Sequence, residues 1–112
     1  MSSRVELDVQ RVRAAKNQSL FREVNERIEH LANGSLASFI CECMQATCDE
    51  RLQLTLDQYE KIRADSNRFV VLAGHDVPGV ERVVETTDGY VLVEKLGLGG
   101  ALAERLDPRG RE

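Results

Sequence analysis

The chain is expected to fold as an α+β domain: a long N-terminal helix, a metal knuckle, a short second helix and a small antiparallel sheet. Three observations predict it. Leu20, Phe21, Val24, Ile28 and Leu31 recur at spacings of three and four, the period of a helix. Arg51-Leu52-Gln53-Leu54-Thr55-Leu56 alternates polar and apolar, the period of a half-covered strand. Near the C-terminus, two strand-like runs flank Asp88-Gly89, a strong hairpin turn signal. Helix first and strands later places the helices on one face of the sheet.

The long helix is read from about Val9 to Ala32. Arg22, Glu23, Glu26, Arg27 and Glu29 are expected to decorate the faces away from the apolar stripe, and Glu23 and Arg27 form a favourable i,i+4 pair. Asn33-Gly34 supplies the stop. Before Asn17 the stripe is poor, so residues 1–16 are set apart as a mobile basic arm. The domain proper then runs over residues 17–96, and residues 97–112 form a tail rich in glycine and charge. Leu36–Ile40 reads as a strand feeding the knuckle. Thr55-Leu56-Asp57-Gln58 matches a capping box, so a helix starts there and ends by Asp65. Phe69–Leu72, Val80–Thr86 and Tyr90–Lys95 complete the strands, and Leu102–Leu106 is short enough for one further turn of helix. Gly97-Leu98-Gly99-Gly100 lacks the remaining glycine of a dinucleotide loop, and no Gly-Lys-Ser/Thr follows it, so it reads as a flexible connection.

Composition bounds what such a domain can rest on. Its 112 residues include no tryptophan, and aromatics make up 4%, so the core must be aliphatic and thin. Charged residues make up 30%, and no apolar run approaches the roughly 20 residues of a membrane helix. Met1–Asp8 lacks the apolar centre of a signal peptide. With an odd count of three cysteines, this points to a reduced, cytoplasmic setting, in which clustered thiols serve metal binding. The net charge of −4 is uneven. Residues 1–22 hold five basic groups (Arg4, Arg11, Arg13, Lys16, Arg22) against two acids, and the excess of acid lies in the remainder. A basic arm on an acidic body is a candidate contact for an acidic protein or for nucleic acid phosphate.

The chemistry of the chain concentrates in Cys41-Glu42-Cys43-Met44-Gln45-Ala46-Thr47-Cys48. Three thiols within eight residues converge on one soft cation at little cost in loop closure. Zinc is expected, because structural zinc takes four Cys or His ligands in a tetrahedron. Two histidines compete for the fourth place. His30 lies near the end of the long helix, whereas His75 follows a strand and Gly74 at a turn, where its ring projects toward a neighbouring loop, so His75 is preferred. The C-x-C-x4-C spacing resembles the post-SET zinc segment of lysine methyltransferases, and nothing else in the chain does. Glu42 and Asp76 adjoin these positions as potential bases, but no catalytic signature accompanies them, and the zinc deaminase pattern is absent.

A wider set of residues carries a second resemblance. Phe21-Arg22-Glu23-Val24-Asn25-Glu26-Arg27-Ile28 is followed by Cys41-Glu42-Cys43 and Cys48, Leu54-Thr55 with Tyr59-Glu60, Arg68-Phe69, Gly74-His75, and Val91-Leu92-Val93-Glu94-Lys95. Over about residues 20–96 the chain resembles a group of small actinobacterial proteins of unknown function. The resemblance implies a bacterial cytosolic origin and a Cys3His ligand set, and it implies no activity. The expectation from sequence is a zinc-binding regulatory or adaptor protein acting through a macromolecular partner. A zinc–thiolate redox switch and a zinc-dependent hydrolase are the alternatives.

Overall fold

The computed structural model describes residues 3–110. In it, α1 (Ser3–Leu31) is followed by β1 (Leu36–Ile40), β2 (Arg51–Thr55), α2 (Leu56–Arg63), β3 (Arg68–Val71), β4 (Glu81–Thr86), β5 (Val91–Lys95) and α3 (Leu98–Arg105), with a 3-10 turn at Pro108–Gly110. The α+β class is as expected. The single small sheet is in fact two. β1 and β2 pair antiparallel with Phe39 opposite Leu52, and β3, β5 and β4 form a separate antiparallel sheet in that order.

Each element follows from its residues. Leu52 and Leu54 of β2 point inward while Arg51 and Gln53 face out, as the alternation requires. β5 is central in its sheet, and Val91, Leu92 and Val93 are buried in succession. β4 is an edge strand with a bulge at Val83–Glu85, which leaves Arg82 and Val83 exposed. The capping box of α2 forms as read: Gln58 N–H donates to Thr55 Oγ1 (3.0 Å) and Thr55 N–H to Gln58 Oε1 (2.8 Å). α2 packs against β2 and β3, so the two sheets share one core. Phe39 and Tyr59 stack within it, ring centroids 4.4 Å apart, alongside Leu54, Phe69, Val70 and Val93.

The long helix departs from expectation in two ways. It begins at Ser3, so residues 3–16, set apart as a mobile arm, form its first half. Ala14 and Ala15 are fully buried there, and Arg11 donates from Nε to Gly79 O (2.8 Å). Small side chains let α3 come close: a Cβ on Gly99 would lie 3.0 Å from the carbonyl oxygen of Arg11. The glycine run expected to be a flexible connection is therefore the packed first turn of α3, and the helix expected at Leu102–Leu106 starts earlier, at Leu98.

The second departure concerns which face is buried. The polar side chains Gln18, Arg22 and Asn25 face the core, whereas Leu20 and Leu31 of the apolar stripe are 61% and 78% exposed. Hydrogen bonding is the reason. Asn25 accepts from Ile40 N–H (2.8 Å) and donates to Ile40 O (2.9 Å), pairing with the end of β1 as a neighbouring strand would. Arg22 donates to Ser66 O (2.7 Å) and Ala103 O (2.8 Å), and its guanidinium lies 4.5 Å from the centroid of Phe69. Buried backbone groups where chain segments end need partners, and α1 supplies them.

Candidate metal centre

The two sheets meet where β1 runs into the knuckle and β3 runs into the loop before β4. Cys41 N–H still donates to Glu50 O (3.0 Å), so the β1–β2 ladder extends one step into the cysteine segment. Glu42 N–H then crosses to Val70 O on β3 (2.8 Å). A tight turn returns the chain, with Cys48 N–H on Gln45 O (3.0 Å). On the other side, His75 N–H donates to Leu72 O (2.9 Å), closing a turn with Gly74 at φ +88°. That left-handed conformation is open to glycine without strain, and no heavy atom stands within 4 Å of where a Cβ would be. Gly74 is thus there for its backbone, and the turn it permits presents the His75 ring to the cysteines.

Cys41, Cys43, Cys48 and His75 come together as the sequence reading expects. Their ligand atoms all lie within 4.8 Å of one another. His75 Nδ1 is 3.5 Å from Cys41 Sγ and 3.7 Å from Cys48 Sγ. A tetrahedral ion bonded at about 2.3 Å to sulfur and about 2.1 Å to nitrogen sets sulfur–nitrogen edges of about 3.6 Å, so both contacts already match such an ion. Leu72 N–H donates to Cys41 Sγ (3.3 Å), a bond that favours the thiolate. Burial works the other way: it pushes the free thiols of Cys41 and Cys43 above their ordinary range. A bound cation overturns that preference, because a coordinating thiol is held deprotonated. Cys41 and Cys43 are buried, and Cys48 and His75 form the half-exposed edge of the cluster. His30 lies elsewhere, exposed near the end of α1 beside Glu23, Glu26, Arg27 and Pro108.

The residue between the first two cysteines anchors the knuckle. Glu42 is fully buried. Its carboxylate accepts from Asn25 Nδ2 (2.8 Å), Tyr59 Oη (3.1 Å) and Val70 N–H (3.1 Å), binding α1, α2 and β3 at one point. Burial raises its pKa, and Asn25 and Val70 N–H, with the more distant Arg22 and Arg63, oppose the rise. Gln18 completes the support, donating to Glu42 O (2.8 Å) and to Glu81 Oε1 (3.1 Å). Lys95 sits in the same pocket, pairing with Glu81 at 2.8 Å and donating to Gln18 Oε1. The sequence reading names Glu42 only as a neighbour of ligands and misses Gln18, Asn25 and Tyr59. Gln18 and Asn25 stand seven apart, two turns along one helix face, and that shared face is the local signal that links them.

No protein family, curated protein or solved structure matches this chain. Among the described residues, no helix is long and apolar enough to cross a membrane.

Proposed function

We propose that this chain is a zinc-stabilised regulatory or adaptor protein of the cytoplasm, acting through a protein partner that docks on α1. The observation that carries the metal is the fit of the His75 contacts to the edges of a tetrahedral site. Zinc is the cation that three thiolates and one imidazole favour, and such closed four-ligand sites are structural. Hydrolysis needs an open coordination position and a free base, but four protein ligands fill a tetrahedron and Glu42 is engaged by three donors. A protein partner is favoured over nucleic acid because two of the five basic groups near the N-terminus are engaged by the fold: Arg22 is fully buried, and the half-buried Arg11 donates to Gly79 O at the surface.

The test is zinc content of the protein purified without added metal. About one zinc per chain is expected, lost in Cys41→Ser, Cys43→Ser, Cys48→Ser and His75→Ala and kept in His30→Ala. Folded, metal-free protein would overturn the reading, and the thiols would then be ordinary core residues.

A further inference from the structure

The three thiols of the cluster are not equivalent. Cys41 and Cys43 are buried, whereas Cys48 is half-exposed, set between the exposed residues 45–47 and 49–50. The groups around each sulfur differ in the same sense. Leu72 N–H donates to Cys41 Sγ (3.3 Å) and Gln45 N–H to the Cys43 sulfur. The polar neighbours of Cys48 Sγ are the His75 ring, at 3.7 Å, and the other two thiols. Coordination holds all three sulfurs as thiolates, so access and these donors set which one reacts. An N–H donor stabilises a thiolate and lowers its nucleophilicity. Cys48 is therefore the sulfur most open to attack on an oxidant.

We propose that Cys48 is a modification site for a small neutral hydroperoxide, and that its oxidation ends in a Cys43–Cys48 disulfide that takes two of the four ligands from the metal. The inference rests on the zinc-stabilised reading of the cluster and names its regulation. In the first step the Cys48 thiolate attacks one peroxide oxygen. A sulfur–oxygen bond forms, the oxygen–oxygen bond breaks, and the departing hydroxide takes a proton from solvent to become water. In the second step the Cys43 thiolate attacks the Cys48 sulfenic acid. The sulfur–sulfur bond forms, the sulfur–oxygen bond breaks, and the hydroxide again leaves as water. Two thiolates are oxidised by two electrons in all, and one peroxide is reduced to two waters. Cys43 is the partner because its sulfur lies within 4.8 Å of Cys48 Sγ and both stand on one tight turn, which Cys48 N–H closes on Gln45 O (3.0 Å). Cys41 lies within the same distance but is held by the ladder, its N–H on Glu50 O (3.0 Å). A bond between Cys41 and Cys43 would span only the buried Glu42, a ring too short for ordinary disulfide geometry. Charge selects the oxidant. Asp49 and Glu50 adjoin Cys48, Asp76 adjoins His75, and the nearby Arg51 is turned to Ser38 O (3.0 Å). That acidic rim repels anionic disulfides such as oxidised glutathione and admits an uncharged peroxide.

The experiment treats the full, zinc-loaded chain with hydrogen peroxide, from about one to about ten equivalents. Free zinc is read with a metal-sensitive dye, and the sulfurs by peptide mass after alkylation. One zinc should be released for each Cys43–Cys48 disulfide, with Cys41 still alkylated, and a dione probe for sulfenic acid should be caught first on Cys48. A thiol reductant with added zinc should restore the starting state. Cys48→His keeps a ligand but removes the reactive sulfur, and peroxide should release its zinc at least about tenfold more slowly. Oxidised glutathione at the same dose should leave the zinc bound, and release as fast as with peroxide would overturn the choice of a neutral oxidant. Zinc retained with all three thiols alkylated at the highest dose would overturn the proposal and leave a purely structural metal. A first adduct on Cys41 or Cys43, or a disulfide that includes Cys41, would overturn it as well. If the purified chain holds no zinc, the metal reading falls, and the same mass map still decides the site: an adduct on Cys48 that closes on Cys43 sustains it, and any other pattern removes it.

Discussion

The two ends of the core are fastened by different chemistry. At one end, the cysteine knuckle and the Gly74–His75 turn bring three thiols and an imidazole to a point. At the other, arginine forks tie the C-terminal segment down. Arg63, its side chain fully buried, pairs with Asp107 at 2.5 Å and Glu26 at 2.8 Å. Arg109 reaches Glu26 (2.8 Å), Glu29 (2.7 Å) and Glu60 (2.7 Å). A thin aliphatic core thus has a polar cluster at each end, one of three thiols and an imidazole that could hold a metal ion and one of the chain's own charges. The difference shows in what each needs. On the proposed reading, the metal end is completed by an ion from outside, whereas the charge end closes when α1, α2 and the segment after α3 are in place.

That contrast predicts unequal responses. Removing the metal with a strong chelator, or Cys43→Ala, should have the largest effect, because structural zinc contributes on the order of 10 kcal/mol to folding in small domains. Hydrogen exchange should show residues 41–50 and 72–76 losing protection along with global stability. A chelated protein with an unchanged melting curve would show that the knuckle stands on its own hydrogen bonds. Arg63→Leu comes next. It leaves Asp107, itself 2% exposed, buried without its partner, a loss of about 3–5 kcal/mol. The melting temperature should fall by roughly 15 °C or more, while zinc content stays at one per chain. Arg63→Leu combined with Asp107→Leu should recover much of the loss, because the cost lies in the orphaned charge. If the double variant is no better than the single one, the pair itself carries the stability.

How far the two ends could be read from the sequence differs for the same physical reason. The cysteines announce themselves by proximity: three within eight residues have few uses in a reduced compartment, and His75 follows a glycine whose turn aims it. Strands and the capping box were legible because their signals are local, carried by alternation or by residues three apart. The charge end has no local signal. Arg109 and Glu29 are 80 residues apart, and Arg63 and Asp107 are 44 apart, so only the fold makes them neighbours. The buried face of α1 was misassigned because apolar periodicity is a guide to burial only where the core asks for apolar groups. Here the core asks for donors at Ile40, Glu42, Ser66 and Ala103, and Gln18, Arg22 and Asn25 meet that need. The periodicity of Leu20, Val24 and Leu31 is genuine, but it belongs to the outward face.

The charge end should also give the domain a pH dependence of its own, opposite in sign to that of thiolate ligation at the metal end. Partial burial, together with neighbouring Glu60, pushes Glu29 up to about 7 from an ordinary 4.5. Arg109, helped by Glu29, draws Glu60 down to about 2. A carboxyl whose pKa is raised by folding is protonated in the folded chain and ionised in the unfolded chain between those values, so its contribution to stability falls as pH rises from about 4.5 to about 7. For Glu60 the sign reverses: stability rises with pH between about 2 and 4.5 and is flat above. Of these two carboxyls, only the Glu29 limb remains above pH 5. Glu29→Gln should therefore melt close to the wild-type protein at pH 5 and above it at pH 8, with the smallest shift of the changes considered because Arg109 and nearby solvent screen the group. A variant that loses stability equally at both pH values would mean that the ion pair to Arg109 outweighs the burial of the charge, and the charge end would then be fastened by Glu29 as firmly as by Glu26.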